Sequence, residues 1–177
     1  SAYGGLVRTP TAEKIAREGL QYCQFHTTAI CAPTRAALLT GRNAHSVSQG
    51  IVAENATGYP GYAGIIPRST AFISEILSPN GYATGWWGKN HNVPDNATGP
   101  AGPFDNWPLQ RGFDYFYGFL GGETDNFYPS LIRGNTHVDP PKRPEEGYHL
   151  TTDLADDCIE WMRNQKAIAP DRPFFVH

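Results

Sequence analysis

The sequence is short of several features that would assign a protein class at once. It holds only three cysteines, an odd number that is too small for a disulfide framework and leaves at least one thiol free. It contains no uninterrupted apolar run of about 18 residues, so no membrane span is expected. Its formal net charge is −3, so neither a nucleic-acid partner nor attraction to an acidic membrane surface is predicted.

The amino terminus and the spacing of the metal-ligating residues also lack a recognisable signal. The chain begins at Ser1 with neither the charged start nor the apolar stretch of a signal peptide, and its single methionine is internal. We therefore expect a trimmed or incomplete N-terminus, and the compartment stays open. No cluster of His and Cys has the spacing of a zinc site, which argues against zinc chemistry.

What the sequence does contain is a regular alternation of helix and strand patterns. Its 177 residues are 40% hydrophobic, which is enough for one globular domain. Start and stop signals predict helices over 9–19, 31–41, 69–81 and 151–166, and short apolar runs predict strands over 20–25, 82–87 and 174–176. This order predicts an α/β fold with a largely parallel sheet. Residues 92–149, rich in Gly, Pro and aromatic residues, are expected to form an irregular insertion in that single domain.

The most informative stretch is CAPTRAALLTGR, residues 31–42. Cys31 is predicted at or just before the start of a helix, with Pro33 in its first turn. Unpaired N–H groups and the positive end of the helix dipole favour an anion there. Arg35 lies about one helical turn after Cys31, so its guanidinium can reach the same place. A buried cysteine without function is the alternative interpretation of the same residues.

Two known phosphate-binding loops do not match this stretch or the later glycine-rich one. A protein tyrosine phosphatase loop has five residues between Cys and Arg, whereas three separate Cys31 from Arg35. A P-loop would need Gly at position 83 and Ser or Thr at position 90, where this chain has Ala83 and Asn90.

A second group of candidate residues follows the predicted strand over 82–87. Lys89 and His91 are two residues apart, so in an extended segment both side chains would point to the same face. At the carboxyl end of a strand, that face opens toward the crevice where α/β sheets bind ligands. His45, in the loop after the first motif, is a further candidate for a hydrogen bond to a substrate oxygen, although a structural role fits it as well.

These motifs carry a resemblance to a known family. C-x-P-x-R followed by L-T-G-R resembles the signature of the type I sulfatases, the formylglycine-dependent sulfuric ester hydrolases. G-Y-x-T-x-x-x-G-K-x-H, over residues 81–91, is similar to their second signature, although many relatives carry Trp where this chain has Asn90. The resemblance extends over nearly the whole chain. It implies an incomplete part of an alkaline-phosphatase-like α/β sandwich.

The resemblance also implies a reaction, the hydrolysis of sulfate esters of the arylsulfatase type. A formylglycine-generating enzyme would oxidise Cys31 to formylglycine, whose hydrate attacks sulfur. Arg35 would steady that group, Lys89 would hold a sulfate oxygen, and His91 would manage a proton. The expected partners are a small sulfate ester or a sulfated glycan. The alternatives are a phosphonate or phosphate ester hydrolase on the same scaffold, or an inactive relative that binds sulfated ligands.

A divalent metal is implied in the same way. Ca²⁺ is expected, with Mg²⁺ as the alternative, and Cys31 as formylglycine would be one ligand. The family's other ligands are two aspartates before the first motif and an Asp-Asn pair after the final strand, and a further catalytic lysine also follows that strand. We expect all of these outside the 177 residues, so the isolated piece is predicted to be inactive. His177 lies inside the final predicted strand and is not equated with a family histidine found further on.

Overall fold

A five-stranded mixed sheet organises the chain in the computed structural model, which describes residues 1–177. Its strands are β1 (Ala83–Lys89), β2 (Tyr115–Phe119), β3 (Leu131–Arg133), β4 (Thr136–Val138) and β5 (Phe174–Val176), in the spatial order β4-β3-β2-β1-β5. Strand β1 pairs in parallel with both β2 and β5, whereas β3 and β4 form an antiparallel hairpin on the far side of β2. The predicted α/β class with a largely parallel sheet is confirmed.

The four predicted helices are all present. They are α1 (Pro10–Glu18), α2 (Cys31–Thr40), α3 (Ile73–Leu77) and α4 (Leu150–Ile168). The third is shorter than the predicted 69–81, because it begins only at Ile73 and passes into a 3₁₀ turn after Leu77. Its start is fixed by the carboxylate of Glu75, which accepts the backbone N–H of Phe72 at 2.8 Å and so caps the first turn.

The sheet separates two apolar layers. Alternation along β1 sends Trp86 to the layer of α2, where it joins Leu39 and Phe116 in a core of 13 buried residues. The next residue, Trp87, points to the opposite layer and packs with Tyr115 beneath α4. Because both faces of β1 are covered, this strand is almost continuously apolar, as central strands of parallel sheets are.

Two predictions about irregular and extended segments need correction. Residues 20–25 do not form a strand: they are exposed and have no neighbouring strand to supply hydrogen bonds, without which alternation alone does not make a strand. Residues 92–149 are not an irregular insertion throughout, because β2, β3 and β4 all lie within them. The aromatic run over 115–119 supplies the strand that pairs with β1, and the hairpin extends the sheet from it.

Exposure is unevenly distributed along the chain. No residue from 1 to 30 is buried, and α1 buries none of its side chains. The buried core begins with Ala32 and Pro33 in the first turn of α2. Cys31 therefore lies where an exposed segment meets the packed body of the domain.

Candidate active site

Helix α2 places Cys31 as the sequence predicts. Cys31 is its first residue, preceded by Ile30 in an extended conformation, and no side chain caps this end. The helix ends at Gly41, whose left-handed backbone (φ 65°) lets its N–H bond to the carbonyl of Ala37. Because the first-turn N–H groups have no side-chain cap, they remain available to a negatively charged group beside Cys31.

His91 lies against Cys31. Its Nδ1 atom is 2.9 Å from Cys31 Sγ, although the two residues are 60 positions apart. The predicted reason for this placement is wrong, however, since β1 ends at Lys89 and His91 has a positive φ of 56°. A left-handed backbone, which costs a non-glycine residue about 1–2 kcal/mol, turns the imidazole toward α2. The strain is retained where the surroundings fix it, which is typical of functional positions.

The turn after β1 is held by buried amides. The Oδ1 atom of Asn90 accepts the backbone N–H groups of Asn92 and Val93 at 2.8 and 3.0 Å. The Nδ2 atom of Asn92 donates to the carbonyl of Ala32 at 3.0 Å, which ties this turn to the first turn of α2. Asn90, where many relatives of the expected family carry Trp, is therefore a structural residue of the turn, and Asn92 links that turn to the first motif.

Lys89 and Arg35 meet the same turn from two sides. Lys89 Nζ donates to the carbonyl oxygen of Gly122, and Arg35 Nη1 donates to the carbonyl oxygen of Lys89 at 2.8 Å. Burial lowers the pKa of Arg35 and the neighbouring Cys31 opposes that shift, yet a guanidinium stays protonated in proteins. One N–H of each cation is used by a backbone carbonyl, and the remaining donors are free for a ligand.

Gly122 also sets the position of His91. A Cβ atom built on Gly122 would lie 2.9 Å from both Cε1 and Nε2 of the imidazole, closer than side chains tolerate. The loop after β2 therefore contacts both Lys89 and His91. The carbonyl of Gly122 accepts a hydrogen bond from Lys89, and the Gly122 backbone packs against the His91 ring. Sequence reasoning missed this residue, although the glycine pair Gly121-Gly122 is a signal of close backbone approach.

Glu54 was missed as well. Its Oε1 and Oε2 atoms lie 2.9 and 3.2 Å from His91 Nε2, on the side of the ring opposite Cys31. It is presented by a 3₁₀ turn, Ala53–Asn55, within a glycine-rich loop. No motif marks this residue, because the contact spans 37 positions and depends on how the loop folds back.

His45 does not join this group. Its Nε2 atom is 3.2 Å from the hydroxyl of Tyr62, its Nδ1 atom is 3.3 Å from Asn43 Oδ1, and its ring packs edge-on against Tyr62. None of its hydrogen bonds reaches Cys31, Arg35, Lys89 or His91. The structural interpretation of this histidine accounts for its contacts.

An open cavity of about 480 Å³ lies in front of the helix start. Cys31, Thr34, Arg35 and Leu38 line one side, and the segment over residues 27–30 lines the other. Lys89 and His91 are not among its lining residues; His91 contacts Cys31 from the turn after β1. The group thus has one side open to a ligand and one side held by the turn after β1.

The side chains present do not form a metal site. No group of three or more His, Cys, Asp and Glu residues stands close enough to hold a metal ion. Asp153 and Asp157, in the first half of α4, accept hydrogen bonds from tyrosine hydroxyls. In addition, none of the helices has the length and apolar character needed to cross a membrane.

Comparison with known proteins identifies the family to which the chain belongs. In the α/β fold described above, the two sequence motifs meet where Cys31 at the start of α2 contacts His91 in the turn after β1. The family model described as Sulfatase matches residues 1–177. The chain belongs to the sulfatase family.

Curated relatives show how much of such a protein this chain represents. It is 40% identical over 121 residues to human arylsulfatase D, covering 66% of this chain and 20% of the relative. It is 29% identical over 179 residues to an uncharacterised sulfatase of Schizosaccharomyces pombe, covering 94% of this chain and 32% of the relative. The chain therefore spans a third or less of the length of these relatives.

Solved structures show the same fold at lower identity. The PsFucS1 sulfatase from a Pseudoalteromonas species matches with a TM-score of 0.65 at 21% identity, covering 95% of this chain and 37% of that one. BT4656, solved with its substrate D-glucosamine-2-N,6-O-disulfate, matches with a TM-score of 0.69 at 22% identity, covering 98% of this chain and 29% of that one. At these identities the likeness establishes the fold.

Proposed function

We propose that the protein carrying this chain hydrolyses sulfate esters, in the manner of an arylsulfatase, and that Cys31 supplies its nucleophile after conversion to formylglycine. Membership of the sulfatase family and the likeness to arylsulfatases support the reaction class. The single observation that carries the assignment to these residues is the 2.9 Å contact between Cys31 Sγ and His91 Nδ1 at the uncapped start of α2.

Conversion to formylglycine replaces the sulfur of Cys31 by oxygen, so the proposed chemistry depends on where this side chain lies and not on the thiol itself. Formylglycine, when hydrated, supplies an oxygen nucleophile for attack on sulfur, and this is a reaction that a thiol would not perform in the same way. His91 Nδ1 faces the atom that would be replaced by oxygen, so His91 is the group placed to hold or take its proton. The contact distance already lies within hydrogen-bond reach.

Positive charge around this position would stabilise the sulfate group. Arg35, which lines the cavity, keeps several N–H donors after its bond to the carbonyl of Lys89. Lys89 lies outside the cavity lining and keeps two N–H donors after its bond to Gly122. The first-turn N–H groups of α2 add a third source of positive potential. Fixed donors of this kind favour the charge that develops on transferred sulfate oxygens, because they need no reorganisation during the reaction.

The metal expected from the resemblance is not matched by this chain's own residues. Its His, Cys, Asp and Glu side chains form no group able to hold Ca²⁺ or Mg²⁺. Oxygen-rich sites of several carboxylates are what these hard cations require, and Cys31 as formylglycine would provide one oxygen ligand only. We accordingly propose that residues 1–177 alone do not turn over sulfate esters.

Mass spectrometry tests the modification. In the whole protein co-expressed with a formylglycine-generating enzyme, the peptide containing Cys31 should be about 18 Da lighter than the thiol form. Material made without that enzyme should keep the thiol and lack activity. If the co-expressed protein carries only free thiol yet hydrolyses sulfate esters, the proposed nucleophile is wrong.

Rates on three probes test the substrate class. We expect the whole protein to hydrolyse an aryl sulfate faster than the matching aryl phosphate or phosphonate. A sulfated monosaccharide forms the third arm, since one structural neighbour was solved with such a substrate. Preference for the phosphate or phosphonate would replace the sulfatase assignment by the alternative on the same scaffold. Binding of sulfated ligands without turnover of any probe would favour an inactive relative.

A further inference from the structure

The imidazole of His91 is held at both of its nitrogen atoms. Nδ1 lies 2.9 Å from Cys31 Sγ, and Nε2 lies 2.9 Å from Glu54 Oε1. His91 is buried, whereas 43% of the Glu54 side chain is exposed. The three side chains thus lie in a row, from the exposed Glu54, through the buried His91 ring, to Cys31 at the start of α2.

We propose that Glu54 is a positioning residue that acts through His91. A carboxylate offers only acceptors, so Nε2 of the ring must carry the hydrogen in this pair. In the neutral ring the lone pair is then on Nδ1, facing position 31, where a base is needed. This inference deepens the proposed function and rests on it for the catalytic consequence, but the choice of tautomer follows from the contacts alone.

The ionised state of Glu54 supports this assignment. Burial acts to raise its pKa, but hydrogen bonds from the backbone and from His91, together with the charges of His91 and Lys89, hold the pKa of Glu54 below its usual value. The carboxylate is therefore charged at neutral pH. Glu54 is the acceptor hydrogen-bonded to Nε2, since Cys31 lies at Nδ1 and the carbonyl of Gly122 accepts from Lys89.

The loop that carries Glu54 is ordered by its own backbone. Gly50 donates to Gly61, Gly64 donates to Ser48, and Thr57 donates to Tyr62, so the loop is closed across its base. Gly64, with φ of 70°, packs against the turn itself, because a Cβ there would lie 2.9 Å from Ala56 Cβ and 3.2 Å from Ala53 Cα. These contacts hold the turn Ala53–Asn55 in place and so fix the position of the Glu54 carboxylate.

A purely structural ion pair is the competing explanation. An ion pair with one partner this exposed contributes little to stability. The structural explanation therefore predicts small and equal effects of Glu54→Gln on folding and on rate. The positioning role predicts instead a specific change at the imidazole, because glutamine can either accept from Nε2 or donate to it, and so no longer selects one tautomer.

The test uses nitrogen NMR on the whole protein with labelled histidine, at alkaline pH where imidazoles are neutral. The resonances lost in His91→Gln identify His91. We expect the Nε2–H tautomer in the unsubstituted protein and a mixture in Glu54→Gln. The matched control is Glu145→Gln, since Glu145 is also the central residue of a three-residue 3₁₀ turn, is exposed, and lies in Pro144–Glu146. It should leave the His91 resonances unchanged.

Kinetics supply the second readout. For Glu54→Gln we expect kcat on an aryl sulfate to fall about tenfold to a hundredfold with KM within about twofold, while Glu145→Gln matches the unsubstituted enzyme. An Nδ1–H tautomer in the unsubstituted protein, or equal tautomer and kcat in the two glutamine variants, would overturn the proposal. A tautomer change in a protein that hydrolyses no sulfate ester would retain the positioning role and reject the proposed function instead.

Discussion

Two networks of polar side chains in this molecule differ in how their hydrogen-bonding groups are used. One is the Cys31 site, made of Cys31, Arg35, Lys89 and His91. The other is the acidic–tyrosine cluster under α4, made of Asp153, Asp157, Tyr115, Tyr117 and Tyr148. In the cluster, Asp157 accepts from Tyr115, Trp87 and Arg133, and Asp153 accepts from Tyr117 and Tyr148.

The two networks differ in how many of their hydrogen-bond donors are left without a partner. Burial and the facing aspartates raise the pKa of Tyr115 and Tyr117 well above the usual range, so both hydroxyls stay protonated and donate to the carboxylates. The donors and acceptors of the acidic–tyrosine cluster are thus satisfied by one another. The Cys31 site keeps free donors on two cations and an uncapped helix start beside an open cavity. Proximity of polar groups is common to both networks, whereas unused capacity distinguishes the proposed active site.

The largest expected effect is a loss of activity on substitution in the Cys31 site. Cys31→Ala should reduce the rate on an aryl sulfate by more than about a thousandfold, because it removes the proposed nucleophile. Folding should hardly change, since the side chain is only partly buried and its loss leaves no large cavity. Steady-state rates and thermal unfolding of the whole protein measure both. Undiminished turnover in this variant would remove Cys31 from the mechanism.

The second prediction concerns the acidic–tyrosine cluster. Asp157→Ala should lower the free energy of unfolding by about 2–4 kcal/mol, because it leaves two part-buried donors, the indole of Trp87 and the hydroxyl of Tyr115, without their acceptor. Activity per folded molecule should be unchanged. Asp156→Ala is the matched control, since Asp156 is the preceding residue of α4 but is exposed. Denaturant unfolding measures the difference, and equal stability of the two variants would show that the cluster is not structural.

A smaller effect is expected at the loop that supports the Cys31 site. Gly122→Ala should lower kcat about tenfold, because the new methyl would press on the His91 ring from 2.9 Å. Gly121→Ala should be nearly neutral, since its Cβ would meet nothing closer than 3.7 Å and its backbone is not left-handed. Rates of both variants on an aryl sulfate decide the matter. Full activity of Gly122→Ala would mean that the ring position is not critical.

The sequence predicted those parts of the site that are governed by local rules. The start of α2, its end at Gly41 and the strand before Lys89 follow from capping, turn chemistry and apolar runs, and all are present. The role of Glu54 and Gly122 did not follow, because each reaches His91 through a loop whose path is set by contacts far apart in the sequence. The left-handed backbone of His91 was missed for a related reason, since local preference argues against it and the surrounding packing imposes it.

The extent of the sheet was also only partly predictable. Strands β1 and β5 have simple apolar signals, but β2 lies in an aromatic run that could equally pack in a loop. Strands β3 and β4 have three residues each, too short for periodicity to indicate them. Residues 20–25 show the opposite failure, in which a strand-like pattern has no adjacent strand. Strand formation depends on a partner, and a single sequence does not show the partner.

The smallest expected effect compares two thiols, Cys31 and Cys158, the latter next to Asp157 in α4. Burial, and then the neighbouring Asp157, raise the pKa of Cys158, so only a small fraction of this thiol is ionised at neutral pH. Cys31 instead lines an open cavity, with the His91 imidazole 2.9 Å from its sulfur. In protein made without the formylglycine-generating enzyme, we expect iodoacetamide to label Cys31 several-fold faster than Cys158 at pH 7.5, as quantified by peptide mass spectrometry. The rate at Cys158 should keep rising between pH 8 and 10, because a raised pKa moves its ionisation upward. Equal rates at pH 7.5 would show that the surroundings of the two thiols do not set their reactivity.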